Sequence, residues 1–133
     1  MKIDRNKVHA KYDGHCSYCG KEITVKEMQV DHIEPKCNIH YLDMPYDKIH
    51  SEDNLTPTCR RCNHYKRGAN LEMFRTIMET LHIRIKDGYI NKVALDFGIM
   101  KLEPFDGKFY FEKYCKQDSC VPLPRYNSIK NSF

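Results

Sequence analysis

The sequence predicts a small α+β domain built around a metal ion. Three observations predict it. Two cysteine pairs of identical spacing stand at Cys16-Ser-Tyr-Cys19 and Cys59-Arg-Arg-Cys62. Between them lie two short stretches of strand character, Met28 to Glu34 and Asn54 to Thr58. After them, Leu71, Phe74, Ile77, Met78, Leu81 and Ile85 follow helical spacing. With 133 residues and no Trp, the chain suggests one domain with a modest core, which a bound metal would help to hold.

The composition is globular but polar, 41% apolar and 30% charged. Seven cysteines are an awkward count for a disulfide framework. The stretch Met1 to Lys7 is not an apolar signal segment, and no run approaches transmembrane length. These features predict a reducing, cytoplasmic setting, where paired cysteines more often hold metal than form disulfides. A net charge of +4 alone describes a solvated surface. Its distribution says more. Arg60, Arg61, Lys66 and Arg67 share one short stretch with His64 and no acid, a footprint for phosphate.

Taken in order, Asp4 can cap a first helix, with Ile3 and Val8 placed as a hydrophobic staple and Asp13-Gly14 as its end. Gly20 permits the tight turn after the first cysteine pair. Ile23 to Lys26 reads as a short strand. Met28 to Glu34 reads as a better one, closed by Pro35, and its alternation sends Asp31 and His32 to opposite faces. The loop from Lys36 to Asp53 is long enough to carry function. It holds Cys37, His40, Asp43, Asp47 and His50; the two histidines read as surface residues or substrate contacts rather than metal ligands. Asn54 to Thr58 returns as a strand, with Pro57 implying an edge, and pairs with the Asp31–His32 strand in a long-looped hairpin.

Cys59 then opens a helix that ends near Gly68. Asn70 caps the next, which runs to a stop at Asp87-Gly88. Asn91 to Phe97 makes a further short helix, ended by Gly98. Asp106-Gly107 signals a hairpin turn, and Lys108 to Tyr114 reads as strand. Cys115 and Cys120 are too loosely spaced for a metal knuckle. The expected organisation is a metal-stapled domain over 1–88, an extension packed on it over 89–120, and a flexible tail over 121–133.

Two side-chain sets carry chemistry. Cys16, Cys19, Cys59 and Cys62 offer four thiolates, which suit tetrahedral Zn²⁺ in a closed, structural site. The second set is Asp31, His32, Asn54 and Asn63. The order Cys-x-x-Cys, Asp-His, Asn-Leu, then Cys-x-x-Cys-Asn with Lys66 nearby resembles the HNH endonucleases, over about residues 12 to 75.

That resemblance implies a treble-clef-like ββα-metal core, a hairpin and a helix around one divalent ion, followed here by C-terminal helices. It implies that His32 is the general base, that Asp31 binds the catalytic metal, and that Asn54 orients His32. Asn63 stands where the family places its second metal ligand. His64 comes one residue later, turned about 100 degrees away along a helix, so Asn63 is the expected ligand and His64 a phosphate contact or substitute. Oxygen donors such as Asp31 and Asn63 suit Mg²⁺ or Mn²⁺. Arg60, Arg61, His64, Lys66 and Arg67 are the expected contacts to the nucleic-acid backbone, Lys66 foremost. The expected activity is hydrolysis of DNA phosphodiester bonds to a 5′-phosphate and a 3′-hydroxyl, with RNA left open as a partner and no membrane. Two other readings compete: a non-catalytic zinc-ribbon module that binds nucleic acid, and a protein-interaction domain presenting Phe109 to Phe111.

Overall fold

Asp4 caps the first helix, α1 (Arg5–Ala10), by accepting a hydrogen bond from Lys7 N at 3.2 Å. Val8 is buried, and Ile3 packs on the same core. These contacts come from a computed structural model, which describes residues 2–35 and 46–114. Cys37, His40, Asp43, Cys115, Cys120 and the tail 121–133 lie outside the described residues.

The first cysteine pair sits in a tight turn. Cys16 N donates to Lys21 O at 2.8 Å and Gly20 N to Cys16 O at 2.9 Å. Gly20 has φ +80°, and a Cβ there would meet the Tyr110 ring at 2.5 Å, so both backbone and space demand glycine. The strand expected over Ile23 to Lys26 does not form. Thr24 Oγ1 accepts from Glu27 N at 3.1 Å, and this local bond folds the segment into a turn instead.

The expected hairpin does form. β1 (Gln29–His32) pairs antiparallel with β2 (Leu55–Thr58), in the register Gln29↔Thr58, Val30↔Pro57, Asp31↔Thr56 and His32↔Leu55. Ahead of β2 come α2 (Tyr46–Ile49) and a 3₁₀ turn over Glu52–Asn54. Cys59, directly after β2, caps α3 (Arg60–Lys66), its sulfur accepting from Cys62 N at 3.4 Å. Two strands and a helix thus follow one another with the second cysteine pair at the last joint.

Asn70 caps α4 (Leu71–Glu79) through Oδ1 to Met73 N at 2.9 Å. The single long helix expected from Leu71 to Ile85 is broken at Thr80. Its hydroxyl donates back to Thr76 O (3.1 Å) and Ile77 O (3.2 Å), bonds that bend a helix, and α5 (Leu81–Lys86) begins just after it. α6 (Tyr89–Asp96) follows, with Gly98 at φ +72° after it.

The strand expected over Lys108 to Tyr114 is a correction: the segment holds a helical turn, α7 (Tyr110–Lys113). Glu112 explains it. Its carboxylate accepts from Phe109 N at 2.9 Å, capping the turn, and pairs with Arg75 of α4 at 2.6 and 3.0 Å. A bidentate pair to a buried arginine outweighs the strand preference of the aromatics.

The core joins the cysteine turn to the C-terminal segment. Phe74 stacks on Phe109 with ring centroids 5.2 Å apart, and Tyr18 meets them edge-on at 5.2 and 5.3 Å. No helix among the described residues is long and apolar enough to cross a membrane.

Candidate metal centre and hydrolytic site

The cysteine pairs are brought together by the turn after α1 and by the β2–α3 joint. The ligand atoms of Cys16, Cys19, Cys59 and Cys62 all lie within 4.8 Å of one another. Cys16 and Cys59 are buried, and Cys19 is on the surface. Four sulfurs this close cannot all ionise unaided. Hydrogen bonds from Cys19 and Cys62 hold the Cys16 thiol well below its ordinary range. The same contacts push Cys19 up to about 11 and Cys62 further still. A divalent cation removes that conflict by accepting all four as thiolates, and a closed set of four sulfurs suits zinc. Zinc here would join the turn before β1 to the start of α3 and so hold the hairpin and helix in register.

β1 and α3 are cross-linked by two further contacts on one side of the strand. Asn63 Nδ2 donates to Gln29 Oε1 at 2.6 Å. Lys66 Nζ lies 3.0 Å from Asp31 Oδ2, with both side chains buried. Gln29 and Asp31 are two apart on the strand, and Asn63 and Lys66 three apart on the helix, so each pair shares a face. Tyr18 adds a third bond, its hydroxyl donating to Asp31 Oδ2 at 2.7 Å. Burial, followed by the Asp31 charge, drives the Tyr18 phenol far above its ordinary range.

Two expectations meet this buried pair. Lys66 is 1% exposed and neutralises Asp31, so it is not placed to hold a phosphate. Asp31 and Asn63 have the oxygen chemistry of a Mg²⁺ or Mn²⁺ site, but this arrangement does not fit one. The cation beside Asp31 is already the Lys66 ammonium, and a divalent ion at Oδ2 would have to displace it.

His32 is the last residue of β1, directly after Asp31 and on the other side of the strand from it. Its Nε2 is 3.2 Å from Nδ1 of His50, the rings meeting edge-on with centroids 5.1 Å apart. Tyr46 lies against His50 in turn, at 4.2 Å. Asn54 fixes the backbone just beyond His32. Its Oδ1 accepts from Glu34 N at 2.7 Å, and its Nδ2 donates to Glu34 O (3.1 Å) and Ile49 O (2.7 Å). Ile33 N donates to Asn54 O at 2.9 Å. One side chain therefore ties the end of β1 to the turn that carries His50.

Arg60, Arg61, His64 and Arg67 are exposed on or just after α3. A concavity of about 580 Å³ opens beside them, lined by Lys21, Gln29, Arg60, Arg61 and His64 among others. Lys21 belongs to the first cysteine turn, and no motif in the sequence marks it. Nor is Tyr18 marked out: its place between two cysteines hides its role. His50 reads from the sequence as a loop residue on the surface or at a substrate, but Tyr46 and His50 stand at a spacing that brings side chains together on a helix.

Residues 16–67, which span both cysteine pairs and the hairpin between them, match the family model of the HNH endonucleases. This chain carries an HNH domain. No curated protein and no solved structure matches it. The HNH domain accounts for the mixed fold of two strands and helices with four cysteines placed for a metal, and it points to a nuclease-like role on nucleic acid.

Proposed function

We propose that the HNH domain hydrolyses phosphodiester bonds in DNA, with His32 as the general base. The observation that carries this reading is the Asn54 clamp, which fixes the backbone on either side of Ile33 and so holds His32 at the open end of the hairpin. A neutral imidazole can take a proton from water at neutral pH. The resulting hydroxide attacks phosphorus, the bond to the 3′-oxygen breaks, and that oxygen takes up a proton. The products are a 5′-phosphate and a 3′-hydroxyl. Arg60, Arg61 and His64 face the phosphate backbone, and their charge offsets the charge that builds on the phosphoryl oxygens. Mg²⁺ or Mn²⁺ at Asp31 and Asn63 enters only on the condition that Lys66 gives up Asp31, and no step above runs through it.

The test is nicking of supercoiled plasmid with Mg²⁺ or Mn²⁺, beside a His32→Ala variant. Wild type should nick and His32→Ala should lose at least ~100-fold in rate. Binding without nicking under every divalent metal would defeat the enzyme reading. The second reading, a nucleic-acid-binding module that does not cut, draws support from the Lys66 ammonium at Asp31 and would be favoured by that outcome.

A further inference from the structure

A second concavity, of about 850 Å³, adjoins α3 and shares Arg61 and His64 with the first. Its floor is aromatic. Phe74 and Phe109 lie there almost fully buried, and Phe105 leans on Phe109 at 5.3 Å. Its wall toward α3 is Tyr65, which is 42% exposed. Most of this lining comes from α4 and the segment 103–113, beyond the stretch that matches the HNH family. The two shared residues, Arg61 and His64, join this groove to the basic concavity. One short helix thus borders both a cationic concavity and an aromatic one.

A folded protein this small rarely leaves such a groove without use. The charges around it select the occupant. Arg61, Lys108 and Lys113 stand at the groove against Glu103 and Asp106. Asp106 is spent on Lys113 at 2.7 Å, which leaves the free balance positive and concentrated at the α3 side. An apolar pocket with a cationic edge, continuous with the concavity lined by Lys21, Arg60 and Arg61, suits a chain whose backbone is anionic and whose substituents are flat and apolar. A single nucleic-acid strand has that chemistry: every base has a π-face, and every nucleotide has one phosphate. Paired bases in a duplex have their faces covered by their neighbours and cannot use the groove.

We propose that this groove is a stacking site for unpaired bases, with a single strand crossing α3 so that its phosphates meet Lys21, Arg60 and Arg61 and its bases enter beside Tyr65 and Phe105. The preferred substrate of the HNH domain is then single-stranded or locally unpaired nucleic acid. This deepens the nuclease reading and rests on it for the word substrate, but the binding claim stands apart from cutting.

The experiment is binding without added divalent metal, read by anisotropy of labelled oligonucleotides. The probes are an oligothymidylate, an abasic strand of the same length, and a duplex. Wild type should prefer the oligothymidylate to both others. Tyr65→Ala and Phe105→Ala should weaken oligothymidylate binding about 5- to 100-fold and leave the abasic strand unchanged. Tyr65→Phe, which keeps the ring, and Tyr89→Ala, which removes an aromatic 84% exposed outside the groove, should bind as wild type does. Equal binding of the abasic and thymidine strands by wild type would overturn the proposal. So would equal losses on both strands in Tyr65→Ala. A wild-type dimer that Tyr65→Ala dissolves would also overturn it, because the groove would then be a self-interface. Loss of nicking in His32→Ala with this binding pattern intact separates the two claims.

Discussion

Lys66 Nζ sits 3.0 Å from Asp31 Oδ2, and the Tyr18 hydroxyl reaches the same oxygen at 2.7 Å. The first cysteine turn, β1 and α3 therefore meet at one buried carboxylate. Deleting half of a buried ion pair costs far more than replacing the whole of it. Lys66→Met should destabilise the protein by about 3–5 kcal/mol in urea unfolding. The double variant Asp31→Leu, Lys66→Met should recover most of that loss. A double variant no more stable than the single would mean that the buried charge is not the cause. The single variant also tests the metal condition. With Asp31 freed, Mg²⁺ should raise the midpoint of Lys66→Met while leaving wild type unmoved.

The four cysteines predict a different failure. Cys59→Ser should lose bound zinc and unfold or lose most of its stability, because the metal links the turn before β1 to the start of α3. His32→Ala should keep its zinc. The thiol shifts add a sign. Cys19 and Cys62 hold protons above their ordinary range until a cation arrives, so binding releases protons. Zinc affinity should then rise with pH and fall on acidification, with proton release seen as calorimetric heats that vary with buffer. Heats independent of buffer would argue against thiols as the ligands.

Asn54 makes three side-chain hydrogen bonds, two of them to Glu34 and one to Ile49. Asn54→Ala removes the clamp without touching His32 itself. The expected cost is about 1.5–3 kcal/mol of stability, and nicking should fall at least ~10-fold as His32 loses its fixed position. An unchanged rate at reduced stability would confine Asn54 to folding.

The hairpin, the cysteine site and the role of α3 were legible in the sequence because each rests on local signals. Identical Cys-x-x-Cys spacings, a strand closed by Pro35 and a cysteine at a helix start need no long-range information. What the sequence conceals rests mostly on partners far apart in the chain. The Lys108–Tyr114 segment is helical because Glu112 meets Arg75, a partner far away in the chain. Asp31 is bound to Lys66 rather than open because β1 lies on α3. Two departures have local causes instead: the Thr24–Glu27 turn that replaces a strand, and the break at Thr80, where a hydroxyl returns to the preceding turn under an apolar stripe that continues through it.

His50 joins the site through His32. Its Nδ1 faces His32 Nε2 at 3.2 Å, and a contact that short holds one N–H between the rings. The partner fixes which way His32 turns. His50→Phe keeps the edge-on ring contact and removes the nitrogen. Nicking should fall about 10-fold or more while zinc content and melting temperature stay near those of wild type. His50→Gln, which restores a polar side chain, should recover part of the rate. Equal rates in wild type and His50→Phe would leave the pair a packing contact.

Tyr18 predicts how stability depends on pH. Burial raises its folded pKa first, and the Asp31 carboxylate raises it further. The unfolded phenol titrates near the ordinary value of 10.0. Because the folded value lies above the unfolded one, the stabilisation is complete below pH 10 and is lost as pH climbs past it. The loss can approach about 1.4 kcal/mol per pH unit for one such group. Urea midpoints should thus be flat from neutral pH to about 9 and fall beyond 10. Tyr18→Phe should start lower, since Asp31 loses one of its donors, but should decline less steeply. Tyr12, also raised by burial, contributes equally to both proteins and drops out of the comparison. Parallel curves for wild type and Tyr18→Phe above pH 10 would remove Tyr18 as the origin of the alkaline transition.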